Sequence, residues 1–260
     1  MKLFLAIPVY SNEVSSYFMI SMMKLIAKLN EKGINYISCQ LSGQLINQVR
    51  NQLVSIFMAT DCTHLFFLDS DIYNYEETLS GFIKADKDFI GGIYPIKEYK
   101  WDKIFTMSVN SIEDVNKTLN FNINTLSNDK AALIKEAEVN NGIIKVAHLP
   151  GGCMFIKRCV FEKMIAWYPE RHYTVTTANE YSYKNSNEYL YNFFDSFIVH
   201  HDDNTGTAGS GKQYLSEDYG FCALYRDDIY ADIKTPLGHC INTIKFFGSY
   251  LNNLQFNNIV

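Results

Sequence analysis

Hydrophobic positions along the first hundred residues alternate between two patterns. KLFLAIPV, INYISCQL, THLFFLD and DFIGGIYP are short, nearly continuous apolar runs, the kind that suits strands of a sheet covered on both faces. Between them, residues 14–31, 44–60 and 74–86 carry apolar groups at helical spacing. The first of these helical stretches stops before Gly33, and the second puts Leu45, Val49, Leu53, Ile56 and Phe57 on one face. The resulting order, β-α-β-α-β-α-β, predicts an α/β fold with a mostly parallel central sheet flanked by helices. Ligands of such sheets bind beyond the carboxyl ends of the strands, where Tyr10, Asp69 and Tyr94 fall.

After residue 100 the pattern loosens. WDKIFTMSVN reads as a strand, and residues 110–130 are Asn-rich and irregular. GIIKVAHLPGGCMFIKR reads as two strands broken at Pro150-Gly151-Gly152, followed by the helix CVFEKMIAWYP. Residues 202–212 form a flexible Gly-rich loop, and SEDYGFCALYRDD is a helix with Ser216 as its cap. There is no internal repeat and no linker. The expected organisation over 1–260 is one domain of two unequal halves, about 1–100 and 101–260.

Composition narrows the function classes. A net charge of -5 argues against a nucleic-acid polymer as partner. The six cysteines are scattered, with no C-x-x-C pair, and suit a reducing, cytoplasmic setting. No apolar stretch approaches bilayer-spanning length, and the opening run reads as a first strand and not as a signal peptide.

The candidate chemistry begins with FFLDSDI. Two carboxylates, Asp69 and Asp71, stand one residue apart at the end of the third strand, where a positive partner is expected; a hard divalent cation suits them. A solvated turn cap is the bland alternative. GSGK at 209–212 lacks the full P-loop pattern and follows no strand.

These residues, with AIPVYS, QLINQVRNQLV, GGIYPIK, LPGGCMFIKR, YLSEDYGFC and PLGHC around them, resemble the GT-A-fold glycosyltransferases. The order is similar to the compact enzymes of phages and large viruses, and more distantly to Anp1-type mannosyltransferases, over residues 2–250. The resemblance implies a hexosyltransferase using a nucleotide-sugar, with UDP the expected nucleotide, and a glycan or other hydroxyl acceptor. It implies Mn2+ or Mg2+ held by Asp71, with Asp69 as a second ligand or a contact to the ribose or a metal-bound water. His239 would complete the shell. Glu217 or Asp218, with Asp218 preferred, would be the base of an inverting reaction or position the acceptor in a retaining one. Pro8 and Tyr10 would meet the base of the donor, or Tyr10 would simply pack on the first helix. Ser70 would join the donor site. Arg50 and Asn51 could reach the ribose or a phosphate, and Lys97 a phosphate or the acceptor. Gly151 and Gly152 would let a sugar approach the backbone, or merely form a tight turn. The 202–212 loop would fold over the donor.

Two other enzyme classes fit less well. In dehalogenase-type phosphatases the acidic pair ends the first strand, and nucleotidyltransferases open on a Gly-rich loop that IPVYSNE lacks. A non-catalytic module that binds nucleotide-sugar or glycan is the alternative to an enzyme.

Overall fold

The structure, a computed structural model, describes residues 1–10, 13–107, 111–174, 186–200, 212–241 and 244–251. The four predicted strands are β1 (Lys2–Val9), β2 (Asn35–Ser42), β3 (His64–Leu68) and, after the two-residue β4 (Ile72–Tyr73), β5 (Phe89–Gly92). The helices between them are α1 (Ser16–Glu31), α2 (Ile46–Met58) and α3 (Tyr75–Ala85). Ser15 caps α1 by accepting from the Phe18 amide, and Gly33 supplies the left-handed turn (φ 63°) that carries the chain into β2.

The second half adds α4 (Trp101–Thr106), α5 (Ile112–Lys117), β6 (Asn124–Thr125), α6 (Lys130–Val139), β7 (Ile143–His148), β8 (Cys153–Lys157) and α7 (Arg158–Trp167). It continues with β9 (Phe197–His200), β10 (Lys212–Leu215), α8 (Glu217–Leu224), β11 (Ile229–Asp232), β12 (Leu237–Ile241) and β13 (Ile244–Gly248). The strand expected at WDKIFTMSVN is instead helix α4. Trp101 and Phe105, four residues apart, stack ring on ring (centroids 6.0 Å) on an exposed face, a contact that helical spacing makes and strand alternation does not.

Eight strands form the main sheet in the order β2-β1-β3-β8-β5-β11-β7-β6. β1, β2, β3, β5, β6 and β11 run one way, while β7 and β8 run against them. The sheet is thus mostly parallel, flanked by helices, with two small antiparallel sheets beside it, a layout consistent with a GT-A-like fold. The two halves share it: β8 lies between β3 and β5.

The unbroken apolar run of β3 has a simple cause. Leu65 and Phe67 enter the core under α2, α7 and α8, whereas Phe66 and Leu68 enter the one under α1 and α3. In the first core Phe221 of α8 stacks on Phe194 (4.3 Å between centroids) and meets Phe89 and Phe161. α8 reaches that position because Gly220 lets its backbone pass against the Asp195 carbonyl, where a Cβ would overlap the oxygen. Since both partners there are backbone, Gly220→Ala should cost about 2 kcal/mol or more. That corresponds to about 5 °C or more in melting temperature, read by thermal unfolding; an unchanged midpoint would contradict this packing.

Candidate functional site

β3 ends in a turn pinned on three sides. The Asp69 amide donates to Gly152 O and that of Ile72 to Asp69 O, both at 3.0 Å. Ser70 O accepts from Ser15 N at the start of α1 (3.0 Å), and Asp71 O accepts from Cys240 N on β12 (3.1 Å). The turn therefore presents its two carboxylates from a fixed backbone.

Their positive partners come from the chain itself. Arg50 of α2 is 2% exposed and donates through Nη2 to both oxygens of Asp69, at 2.9 and 3.1 Å. Its Nη1 donates to the Gly151 carbonyl (3.1 Å). Nε finds no hydrogen-bond partner among the described residues and faces Glu217 Oε1 at 3.6 Å. Burial works against the Arg50 charge, but Asp69, Glu217 and Asp218 outweigh it and hold the guanidinium above its ordinary range. Burial also pushes the Asp69 carboxyl upward, against the pull of Arg50 and with help from Asp71. Expected to reach a ribose or phosphate, Arg50 is instead a buried strut. Asn51 needs the same correction. It is 2% exposed, and its amide donates to Asn192 Oδ1 (3.0 Å) and Phe194 O (3.1 Å) while accepting from the amides of Phe193 (3.1 Å) and Phe194 (2.9 Å). It shapes the 192–194 segment and has nothing left for a ligand.

Asp71 is placed differently. Lys97 Nζ is hydrogen-bonded to Oδ2, and His239 Nε2 stands 3.5 Å from Oδ1. β12 delivers the histidine by pairing with β4, with His239 opposite Ile72 and Gly238 opposite Tyr73. Gly238 is required there, because a Cβ would overlap the Tyr73 ring. His239 Nδ1 lies 2.9 Å from the Pro95 carbonyl, which can only accept, so Nδ1 carries the hydrogen. In the neutral ring Nε2 is then a lone-pair acceptor facing a carboxylate oxygen. That pairing is unfavourable unless a proton or a cation lies between. An imidazole tied back to a carbonyl is the usual arrangement of a metal-binding histidine. Burial raises the Asp71 carboxyl, but its bonds to His239 and Lys97 win and hold it below the ordinary range.

A divalent cation therefore fits the Asp71–His239 pair as a site with two protein ligands. Among the described residues no group of three or more His, Cys, Asp or Glu comes together to hold a metal. Mn2+ and Mg2+ tolerate that, since they keep water and phosphate oxygens as ligands. Asp69, with both oxygens on Arg50, is set apart from this pair.

The two acids opening α8 also divide. Asp218 accepts from Gly151 N (2.9 Å) through Oδ2, and from Tyr219 N (2.8 Å) and the Ser216 hydroxyl through Oδ1. With both oxygens used, it is a latch between α8 and the β7–β8 turn. Ser216 holds the cap position but bonds Asp218 instead of the helix backbone. Glu217 lies beside Arg50, and burial first, then Asp218, lifts its carboxyl above the ordinary glutamate range. Of the two, Asp218 is the one tied to the backbone of the turn and Glu217 the one beside the guanidinium.

Beside the acidic turn lies a cavity of ≈170 Å³ lined by Pro8, Tyr10, Gln44, Ile46, Asp69, Ser70 and Asp71, among others. It is smaller than the roughly 300 Å³ at which whole-ligand pockets begin. Tyr10 is 73% exposed at the mouth of this cavity. Gly151 and Gly152 are close-approach positions, but for the protein: a Cβ would lie 2.7 Å from Arg50 Nη2 or 2.5 Å from the Tyr94 hydroxyl. Tyr94 is a site residue whose role the sequence left unread. Its buried hydroxyl accepts from Gly152 N (2.8 Å), and its ring meets His239 edge-on at 5.0 Å. A larger hollow of ≈520 Å³ between α3 and residues 140–143 and 232–236 gathers no such chemistry; its buried Asp232 is satisfied by Lys234 and Thr235. The expected lid at 202–212 lies, but for Lys212, outside the described residues.

No protein-family model matches the chain, and no curated protein does. Among solved structures, A197 from STIV aligns at 17% identity and a TM-score of 0.45, covering 93% of this chain and 86% of that one. A glycosyltransferase involved in the glycosylation of the major capsid of PBCV-1 aligns at 11% identity and a TM-score of 0.32, covering 100% and 99%. Both scores fall below 0.5, so a functional reading has to rest on the site itself.

The Asn51 contacts predict a purely structural phenotype. Asn51→Ala strands the buried amide of Phe194, leaves that of Phe193 only the Tyr191 carbonyl (3.0 Å), and should lower unfolding free energy by about 1–3 kcal/mol, measured by urea denaturation. A change under 1 kcal/mol would overturn the assigned role.

Proposed function

We propose that this chain is a glycosyltransferase that moves a hexose from a nucleotide-sugar, UDP-linked in the first instance, to an acceptor hydroxyl with the aid of Mn2+ or Mg2+. The observation that carries the reading is the approach of Asp71 Oδ1 to His239 Nε2 (3.5 Å), a carboxylate beside an imidazole tied back to the Pro95 carbonyl, next to a small cavity at the carboxyl edge of the sheet. Asp71 and His239 would hold the ion. When bound, such an ion stabilises the charge that builds on a departing diphosphate.

The chain's own residues supply the rest. Pro8 and the free ring of Tyr10 offer a stacking surface for the base. Ser70 offers a hydroxyl at the same cavity, and the carboxylate of Asp69 is fixed by Arg50 on its inner side. Arg50 is hydrogen-bonded to Asp69 and faces Glu217 at 3.6 Å, so one buried cation lies between the donor side and the proton-accepting side. In an inverting reaction the acceptor oxygen bonds to the anomeric carbon as the bond to the diphosphate breaks, and Glu217 takes the hydroxyl proton. Its elevated carboxyl makes it the stronger base once deprotonated.

Four measurements test this. A panel of UDP- and GDP-sugars with Mn2+ should yield free nucleotide from one donor; tight binding with no release from any would favour the binding module. Asp71→Ala should abolish both Mn2+ uptake and nucleotide affinity by calorimetry, and retention of both would end the proposal. Glu217→Gln should lower transfer by about 10²–10⁴-fold with nucleotide binding kept. The carboxyl of Glu217 is displaced upward. The wild-type kcat/KM should therefore rise with pH across a limb above the ordinary glutamate range, and Glu217→Gln should remove that limb.

A further inference from the structure

We infer that Lys97 is a resident counter-ion of Asp71 that is displaced when the divalent cation binds and then turns to the diphosphate of the donor. The inference rests on the glycosyltransferase reading and adds to it a coupling between ion and nucleotide. Asp71 carries the Lys97 ammonium on Oδ2 and faces His239 across Oδ1. The side chains of Lys97 and Asp71 are 29% and 33% exposed, so an incoming ion can reach the pair.

The segment carrying Lys97 is itself part of the site. Tyr94 receives the Gly152 amide, Pro95 O orients His239, and two residues later Lys97 meets Asp71. Its backbone is anchored, with Ile96 N donating to Asn120 O (2.9 Å) and Pro95 bridged to Phe121. What can move is the four-carbon lysine stem and its point charge.

Electrostatics then forces a choice. Asp69 is already matched by Arg50, so Asp71 alone would have to serve both an ammonium and a doubly charged ion. Like charges a few ångströms apart on a partly exposed carboxylate repel strongly. The lysine leaves, and the diphosphate that arrives with the ion is the new anion within reach. Ion and nucleotide therefore bind with positive coupling: the ion alone must first evict Lys97, while the nucleotide gives Lys97 somewhere to go.

The test is Mn2+ titration of the full chain followed by electron paramagnetic resonance, with and without UDP, and then with GDP. It compares wild type, Lys97→Met, Lys97→Gln, Asp71→Ala and His239→Ala. Met and Gln keep most of the partly buried lysine stem, and two different replacements guard against one misfolding. Without nucleotide, both should bind Mn2+ about 3-fold or more tighter than wild type, because a competing ion pair is gone. In Mn2+ their affinity for the nucleoside diphosphate should fall about 10-fold, the loss of one charged hydrogen bond. Unchanged or weaker Mn2+ binding in both variants overturns the displacement while leaving the glycosyltransferase reading intact, provided Asp71→Ala and His239→Ala still lose the ion. A wild type that takes up no Mn2+ under any condition overturns both. Metal-independent nucleotide binding that is lost with Lys97 would mean that the lysine stands permanently in the cation's place, and would overturn the displacement too.

Discussion

A guanidinium buried among carboxylates organises everything around it. Arg50 leaves the middle of α2 and satisfies Asp69 at the end of β3, the Gly151 carbonyl in the β7–β8 turn and, at longer range, Glu217 on α8. Removing one partner from such a buried pair typically costs about 3–5 kcal/mol, since the other charge is left stranded. The surroundings are shaped to keep it. Gly151 is bare of side chain where the guanidinium passes, and Phe67 and Phe194 lie against its flat face at 5.3 and 5.9 Å. Asp218 ties the same turn to α8 from the other side. Four elements distant in sequence thus meet at one charge.

Fixing Asp69 in this way sets Asp71 free for other work. Two carboxylates one residue apart on a fixed turn point into different surroundings, one toward a buried strut and the other toward a histidine, a lysine and solvent. The sheet topology makes this possible. β12 runs antiparallel to β4 for only two residue pairs, which suffices to set an imidazole beside a carboxylate 168 positions earlier in the chain.

Much of the frame was legible in the sequence because it depends on local pattern. The four apolar runs and the helices between them are where periodicity puts them, and the two-sided burial of Leu65 to Leu68 is written into an unbroken apolar stretch. The failures share a cause, a partner far away in sequence. Helical spacing gives no sign that Arg50 and Asn51 face inward, since what makes that affordable lies near residues 69, 151, 192 and 217. Nor does local pattern show that Asp218 meets the Gly151 amide, 67 residues upstream. At α4 strand-forming residues misled, because Trp101 and Phe105 find their contact within one helix turn and not across a sheet. Leu45, placed on the buried face of α2, is 55% exposed since it precedes the first helical turn.

The position of β12 has a consequence for biosynthesis. A nascent chain leaving the ribosome displays the acidic turn long before the strand that brings the imidazole. β8, which must slip between β3 and β5, also emerges after both. Until then β3 lacks a neighbour on one side and its final carboxylates lack their histidine. Assembly of this protein is therefore dominated by pairings between distant segments, which fold slowly and leave open strand edges in the interim. The same wiring means that a product of premature termination anywhere before β12 would present Asp71 without the imidazole that faces it.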